Sequence, residues 1–521
     1  MSMEQIDKNW DLVVIGGGIT GAGVLREAVR MGLKTLLVEK NDFTYGTSSR
    51  SSKLVHGGLR YLKEGRLHLT YESVRQRQRL LEEAPGLVDE ISFLMPVYKK
   101  RGPGRLPLTA GLILYDLMAG KRYHSYLDRN SFSEMVPGID PTDLSGGFRF
   151  MDAQTDDARL VLRLINESIE NGANAVNYTA ATRILRNENH EVTGVSLTDT
   201  ETGTHTDVST PAVINATGAW AEMLHPVHES DMHLRPLRGS HLVIPAERLP
   251  LSQAVTLIHP DDGRPLFIIP WEGALILGTT DIDHGKDIDT EVTATLKEAR
   301  YMIDCLNAYF PEADIGLTDC AASFAGIRPI LTNKKGALDP SKESREHVIW
   351  TDKGLVTVTG GKLTTFRILA GDALEAASPW LPESSTLRLK APVFTQTPHI
   401  PEAGEKGLSA DTWRRLFGRY GKKAISIAAN ARPEDLVLVP GTHTLWAEIP
   451  AAAKTERIRH LTDLLLRRVR MGMLLKEGGR QHLERIRELC EPVLPWDADR
   501  WDEEIQMYMD YVDTALRVPS A

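Results

Sequence analysis

Two short, continuously apolar runs open the pattern, Asp11–Ile15 (DLVVI) and Lys34–Val38, with an apolar-periodic stretch between them that Gly32 stops. Continuous runs of this length predict strands buried on both faces, and the 3.6-residue period between them predicts a helix to about Met31. The pattern then turns polar, and the next helix is expected over Leu67–Glu83. Asp152–Arg159 (DAQTDDAR) leads into an amphipathic helix ending near Asn171-Gly172, followed by strand-like segments at Ala175–Leu185 and Glu191–Thr198. Ala212–Ala216 (AVINA) is a further buried strand, and Leu234–Thr280 is β-rich, with HLVI, FIIP and LILG separated by Pro and Gly turns. That alternation suits an antiparallel sheet covering a pocket. A helix is predicted over Thr293–Phe310, a short non-helical segment over Ala322–Pro329, and a last apolar strand, Leu355–Val358, before a helix to about Ala377. Past the Pro-rich TQTPHIPEAGEK the pattern becomes helical: Asp411–Phe417, Lys423–Ala429, Thr455–Arg470, Arg480–Leu489 and Trp501–Leu516. Arg467-Arg468-Val469-Arg470 reads as a solvated helix face.

Composition narrows the classes. A chain of 521 residues exceeds one compact core. The expected division is a cofactor-binding part at roughly 10–95, 150–225 and 320–380, an interleaved substrate part at roughly 96–149 and 226–319, and a helical C-terminal domain from about 398 to 521. Net charge is −9, against nucleic-acid binding. Cys305, Cys320 and Cys490 are scattered, which gives no disulfide framework, zinc or iron–sulfur ligand set and fits a reducing interior; no metal is expected. The N-terminus carries no export signal, and no run reaches the roughly 18 apolar residues of a membrane span.

The chemistry begins at Gly16-Gly-Gly18-Ile-Thr-Gly21, which joins the first strand to its helix in GxGxxG spacing. Its glycines let a helix N-terminus approach a pyrophosphate, and the helix dipole favours that charge. Glu39 follows Gly21 by 18 residues, where a carboxylate accepts ribose hydroxyls. Strand, glycines, helix, strand and acid in order make a dinucleotide site. The chain then departs from further βα repeats into Thr47–Leu62 (TSSRSSKLVHGGLRYL), as FAD oxidoreductases of the glutathione-reductase type do. Ala216-Thr217-Gly218 at a strand end offers amides to the dinucleotide, and Gly360-Gly361-Lys362 at a helix start could stabilise negative charge on a reduced flavin. His241 and Thr279–Asp281 are polar groups on the covering sheet, each read first as structural. Lys99–Arg122 sets basic residues at both ends of a short apolar helix, which is either a lipid-headgroup contact or a core helix with solvated caps.

Taken together, Gly16–Gly21 with Glu39, Ser48–Tyr61 with its HGGLRY, Ala216–Trp220, Gly239–His241, Gly278–Asp281, Gly326–Pro329 and Gly360–Arg367 resemble the FAD-dependent sn-glycerol-3-phosphate dehydrogenases and oxidases of the D-amino-acid-oxidase-like superfamily. The resemblance extends more loosely over Leu464–Leu474. It implies an α/β fold: a glutathione-reductase-type, Rossmann-like FAD domain with an antiparallel-sheet substrate domain and a small helical C-terminal domain. It implies oxidation of sn-glycerol 3-phosphate to dihydroxyacetone phosphate, with hydride passing from C2 to flavin N5 and electrons to a quinone. The expected FAD contacts are Gly16, Gly18, Gly21, Glu39, Ser48, Ser52, Lys53, Leu54, His56, Ala216, Thr217, Gly218, Gly361, Leu363 and Thr364. Arg60 and Tyr61, with Arg328 and His241, are the expected substrate contacts. His56, Arg328 and Lys362 are the expected catalytic groups, His56 as general base with Lys362 as its rival. A homodimer is expected, either cytoplasmic or peripheral on the cytoplasmic face of the inner membrane. Alternatives are an oxygen-using oxidase and a flavin amine or amino-acid oxidase on the same fold.

Overall fold

The structure, a computed structural model, describes residues 6–520 except 60, 61, 63, 64, 100, 225–231, 334–346, 384, 388 and 397–402. Its centre is a six-stranded sheet in the order His347–Asp352, Leu355–Gly360, Val213–Asn215, Leu12–Ile15, Thr35–Val38, Asn174–Val176, parallel except for the first pair. The apolar runs earn their continuity from two cores. Leu12 and Val14 face helices Ile19–Arg30, Asp157–Glu170 and Phe366–Ala377, whereas Val13 and Ile15 face Val195, Leu197 and Val208 of a three-stranded antiparallel sheet. Each strand is therefore apolar on both sides. Ala175–Leu185, expected as one β segment, is divided between those two sheets as Asn174–Val176 and Thr179–Arg186.

The second sheet has nine strands and carries the pocket-covering segment. Met232–Pro245 pairs antiparallel with Ala274–Gly278 and with Ala322–Asn333, setting Gly239 opposite Gly326 and Leu237 opposite Arg328. Val88–Tyr98 and Ala322–Asn333 hydrogen-bond within this sheet and not within the six-stranded one. Strand alternation sorts its two faces. Leu242, Ile244 and Leu275 meet helix Leu296–Asn307, which starts in a Thr295–Glu298 capping box. Val243 and Ile276 turn the other way and share a core with Trp501, Tyr508 and Leu464–Leu466 of the C-terminal region.

That shared core corrects the reading of the C-terminal segment in two ways. Thr455–Arg470 is not one helix: helix Glu448–Thr455 ends, Arg457 adopts φ 55°, and the chain re-forms as a wide turn in which the Val469 amide bonds the Leu464 carbonyl. Arg470 follows at φ 64°. Nor are its arginines a solvated face, since Arg467, Arg468 and Arg470 are all buried against the body of the protein. Apolar residues on several sides of the segment are what a stretch enclosed between two layers requires.

Candidate active site

A cavity of about 2530 Å³ runs between the two large sheets. Ordinary ligand sites measure roughly 300–1,000 Å³, so this one has room for an extended dinucleotide and a second small molecule. At one end the Gly16–Gly21 turn lies against the sheet: a Cβ on Gly21 would sit 1.9 Å from the Gly16 carbonyl oxygen, so only glycine lets helix and strand approach. Glu39 stands at the end of its strand and accepts the Gly17 amide at 2.7 Å and the Asn41 amide at 2.9 Å. Burial raises its pKa, against the pull of those two amides. Ser48 reaches back to accept the Ile19 amide, the first of the helix, at 2.9 Å.

The other end is built where three distant segments meet. The His56 carbonyl accepts the Thr364 hydroxyl at 3.2 Å, tying the Thr47–Leu62 stretch to the Gly360–Thr364 loop. Lys362 donates to Ser73 on helix Leu67–Glu83 at 2.6 Å. Arg328 crosses from its strand to Asp281 and Thr279, each at 3.1 Å, and all three line the cavity. Beneath His56 lies a cluster that sequence reasoning did not single out. Asp152 accepts the Gly57 amide at 3.1 Å, Arg77 at 3.0 Å and the Tyr115 hydroxyl at 3.2 Å. Burial raises the Asp152 pKa, and Arg77 opposes it. A Cβ on Gly57 would fall 2.2 Å from the Tyr115 oxygen, so the first glycine of HGG is there for close approach. Arg66 and Arg264 also line the cavity and carried no sequence signal.

Of the expected site residues, Gly16, Gly18, Glu39, Ser48, Ser52, Leu54, His56, Ala216, Thr217, Gly218, Arg328, Gly361, Lys362, Leu363 and Thr364 line this one cavity. Gly21 packs behind it. Two expected residues, Lys53 and His241, lie outside the cavity lining. The Lys53 side chain is fully buried on the far side of its loop, 2.8 Å from Asp157, whose carboxylate compensates the ammonium charge at that depth. Burial first, and then Arg470, push its pKa down to about 7 against Asp157. His241 is buried behind Ser52, bonded to its hydroxyl at 2.8 Å and stacked on Phe324 at 4.6 Å. Burial, then Arg328 and Lys53, hold its pKa well below the usual histidine value. Arg60 and Tyr61 lie outside the described residues.

Comparison with known proteins agrees with this geometry. The family described as FAD dependent oxidoreductase matches residues 11–367, and the C-terminal domain of alpha-glycerophosphate oxidase matches residues 378–501. The aerobic glycerol-3-phosphate dehydrogenase of Staphylococcus haemolyticus is 34% identical over 500 residues, covering 90% of this chain and 89% of its own. The chain belongs to the FAD-dependent glycerol-3-phosphate dehydrogenase family. Within that family, glycerol-3-phosphate dehydrogenase 2 of Mycobacterium tuberculosis is 33% identical over 98% of this chain and 89% of its own. A glycerol-3-phosphate dehydrogenase from Bacillus halodurans, solved with FAD, has TM-score 0.77 and 27% identity over 98% of this chain and 95% of its own. L-alpha-glycerophosphate oxidase of Mycoplasma pneumoniae, at TM-score 0.58 and 18% identity over 76% of this chain and 100% of its own, shares the fold. The cofactor is FAD, and the donor set fits it: a glycine turn at a helix start, a carboxylate at the next strand end and a long cavity past both.

Proposed function

We propose that this protein oxidises the C2 alcohol of sn-glycerol 3-phosphate to dihydroxyacetone phosphate and passes the electrons to a quinone. The observation that carries this reading is the convergence of His56, Arg328 and Lys362 on one cavity that also begins at a dinucleotide-type glycine turn. FAD, when bound, supplies the acceptor for the hydride removed from C2. Gly16 and Gly18 with the helix start would hold its pyrophosphate, Glu39 its ribose, and Ala216–Gly218 and Gly361–Thr364 the flavin end. The substrate phosphate carries close to two negative charges. Arg328, its guanidinium oriented by Asp281 and Thr279, presents a fixed cation to it, with Arg60 and Tyr61 as further contacts. As C2 loses hydride, His56 takes the hydroxyl proton and Lys362 steadies the negative charge growing on oxygen.

The acceptor reading rests on helix Arg105–Ala119. It exposes Leu106, Ile113, Leu114 and Leu117, while Pro107, Leu108 and Gly111 line the cavity beside Phe93 and Phe267. Leu112 and Tyr115 bury its other face, and the exposed apolar face lies where a lipophilic acceptor could enter from a membrane surface. Among the described residues no helix is long and apolar enough to cross a membrane.

Anaerobic addition of sn-glycerol 3-phosphate to the FAD-loaded protein should bleach the flavin absorbance, and a soluble quinone should restore it. Absence of bleaching overturns the substrate. Reoxidation by oxygen with stoichiometric peroxide, and none by quinone, overturns the acceptor.

A further inference from the structure

Three arginines of the C-terminal segment reach two different loops of the FAD site without entering the cavity. Arg467 and Arg468 converge on Asp42, which Asn177 also bonds at 3.0 Å. Asp42 sits between Glu39 and Thr44, so it fixes the short loop whose two ends grip the glycine turn: Glu39 accepts the Gly17 amide and the Thr44 amide donates to the Gly17 carbonyl at 3.1 Å. Arg470 goes elsewhere. It donates to the Ser49 carbonyl at 2.9 Å and to Asp157 at 3.2 Å. Asp157 in turn accepts the Ser51 amide at 3.0 Å and its hydroxyl at 2.7 Å, so Arg470 holds the Ser48–Ser52 loop from beneath. Side chains so close in sequence can face such separated loops because the wide turn at Asp463–Arg468 and the positive φ of Arg470 break the helical projection. The first loop lies beside Glu39 at the adenosine end, and the second begins at the helix start, where Ser48 accepts the Ile19 amide, and runs on toward His56.

We propose that Arg467, Arg468 and Arg470 are positioning residues for FAD, and that the C-terminal segment is a clamp whose docking and FAD binding stabilise each other. The inference rests on FAD occupying the cavity as described above. Reciprocity is the consequence: a clamp that favours FAD must itself be tightened by FAD.

The test uses the full chain stripped of FAD and then reloaded. FAD should slow backbone amide exchange over 461–475, none of which lines the cavity, relative to the stripped protein. Arg470→Met and Arg468→Met should each weaken FAD binding about tenfold or more by fluorescence titration, with Arg470→Lys restoring part of the loss. ADP, which lacks the flavin end, should lose more affinity in Arg468→Met than in Arg470→Met. If exchange over 461–475 is the same with and without FAD, the clamp is overturned, whatever the variants do. FAD affinities within about twofold of wild type in both Met variants overturn it too. Wild-type protein that binds no FAD at all overturns the assignment of the cavity instead, so the two failures are distinguishable.

Discussion

Two groups of cations bracket the FAD cavity, and they live under opposite conditions. Arg328 and Lys362 stand in the cavity wall, half-buried, where a doubly charged phosphate or a developing alkoxide can reach them. Arg467, Arg468 and Arg470 lie dry behind the wall, each against buried carboxylates: Asp42 and Asp463 for the first pair, Asp156 and Asp157 for the third. Taking a charge out of water is costly unless a partner and hydrogen bonds compensate it. The rear group therefore has every reason to stay assembled, whereas the front group faces a cavity that a ligand enters and leaves. The contrast teaches how one residue type serves two ends, and substitutions can break it.

Behind the wall, Arg468→Ala leaves Asp42 short of one buried partner and should cost about 3–5 kcal/mol of stability, read as a lower denaturant midpoint. Burial would raise the Asp42 pKa, but Arg468 and then Arg467 hold it down to about 2. A depressed carboxylate stabilises above its unfolded value of about 3.9, and that contribution is lost as pH falls through about 2. Wild-type protein should thus lose more stability than Arg468→Ala as the pH falls across that window. An unchanged midpoint at neutral pH would place the rear group with surface pairs.

At the front, His56→Gln should lower kcat by about 10²-fold or more while bound flavin, KM and unfolding midpoint stay near wild type. Near-normal turnover moves the general base to another group, with Lys362 next in line. Arg328→Lys retains the charge but not the oriented fork, and should raise KM about tenfold with kcat changed less. A large fall in stability for either variant would erase the distinction between the two groups.

Much of the cavity wall was legible in the sequence and the rear group was not, for a physical reason. Gly16–Gly21, Glu39, His56-Gly57-Gly58 and Gly361-Lys362 announce themselves through local spacing, because a turn or close approach must be encoded in adjacent residues. The direction of a charged side chain is set by partners far away. Lys53 turns inward because Asp157 waits there, and Arg468 is enclosed because Asp42, from the first βαβ unit, lies against it. Read alone, Leu464–Arg470 looks like an amphipathic helix with a basic face. The wide turn that breaks it is visible only in three dimensions. The Asp152–Arg77–Tyr115 cluster escaped for the same reason, its members coming from a strand and two helices.

The smallest expected effect sits where the dry interface meets solvent. His460 lies between Glu504 at 2.9 Å and Glu201 at 2.6 Å, and is partly exposed. Its pKa is raised, first by the Glu504 hydrogen bond and then by nearby carboxylates, with burial opposing. A histidine raised in the folded state stabilises fully below its unfolded value near 6.5, and the contribution is lost as pH rises through the raised value. Measured from pH 5 upward, wild type should therefore be more stable than His460→Gln by about 1 kcal/mol or less at the acid end, converging on the variant above neutrality. A difference that grows with pH reverses the sign and removes His460 from the ionic interface. A flat difference shows that the interface stops at Asp463, with His460 contributing packing alone.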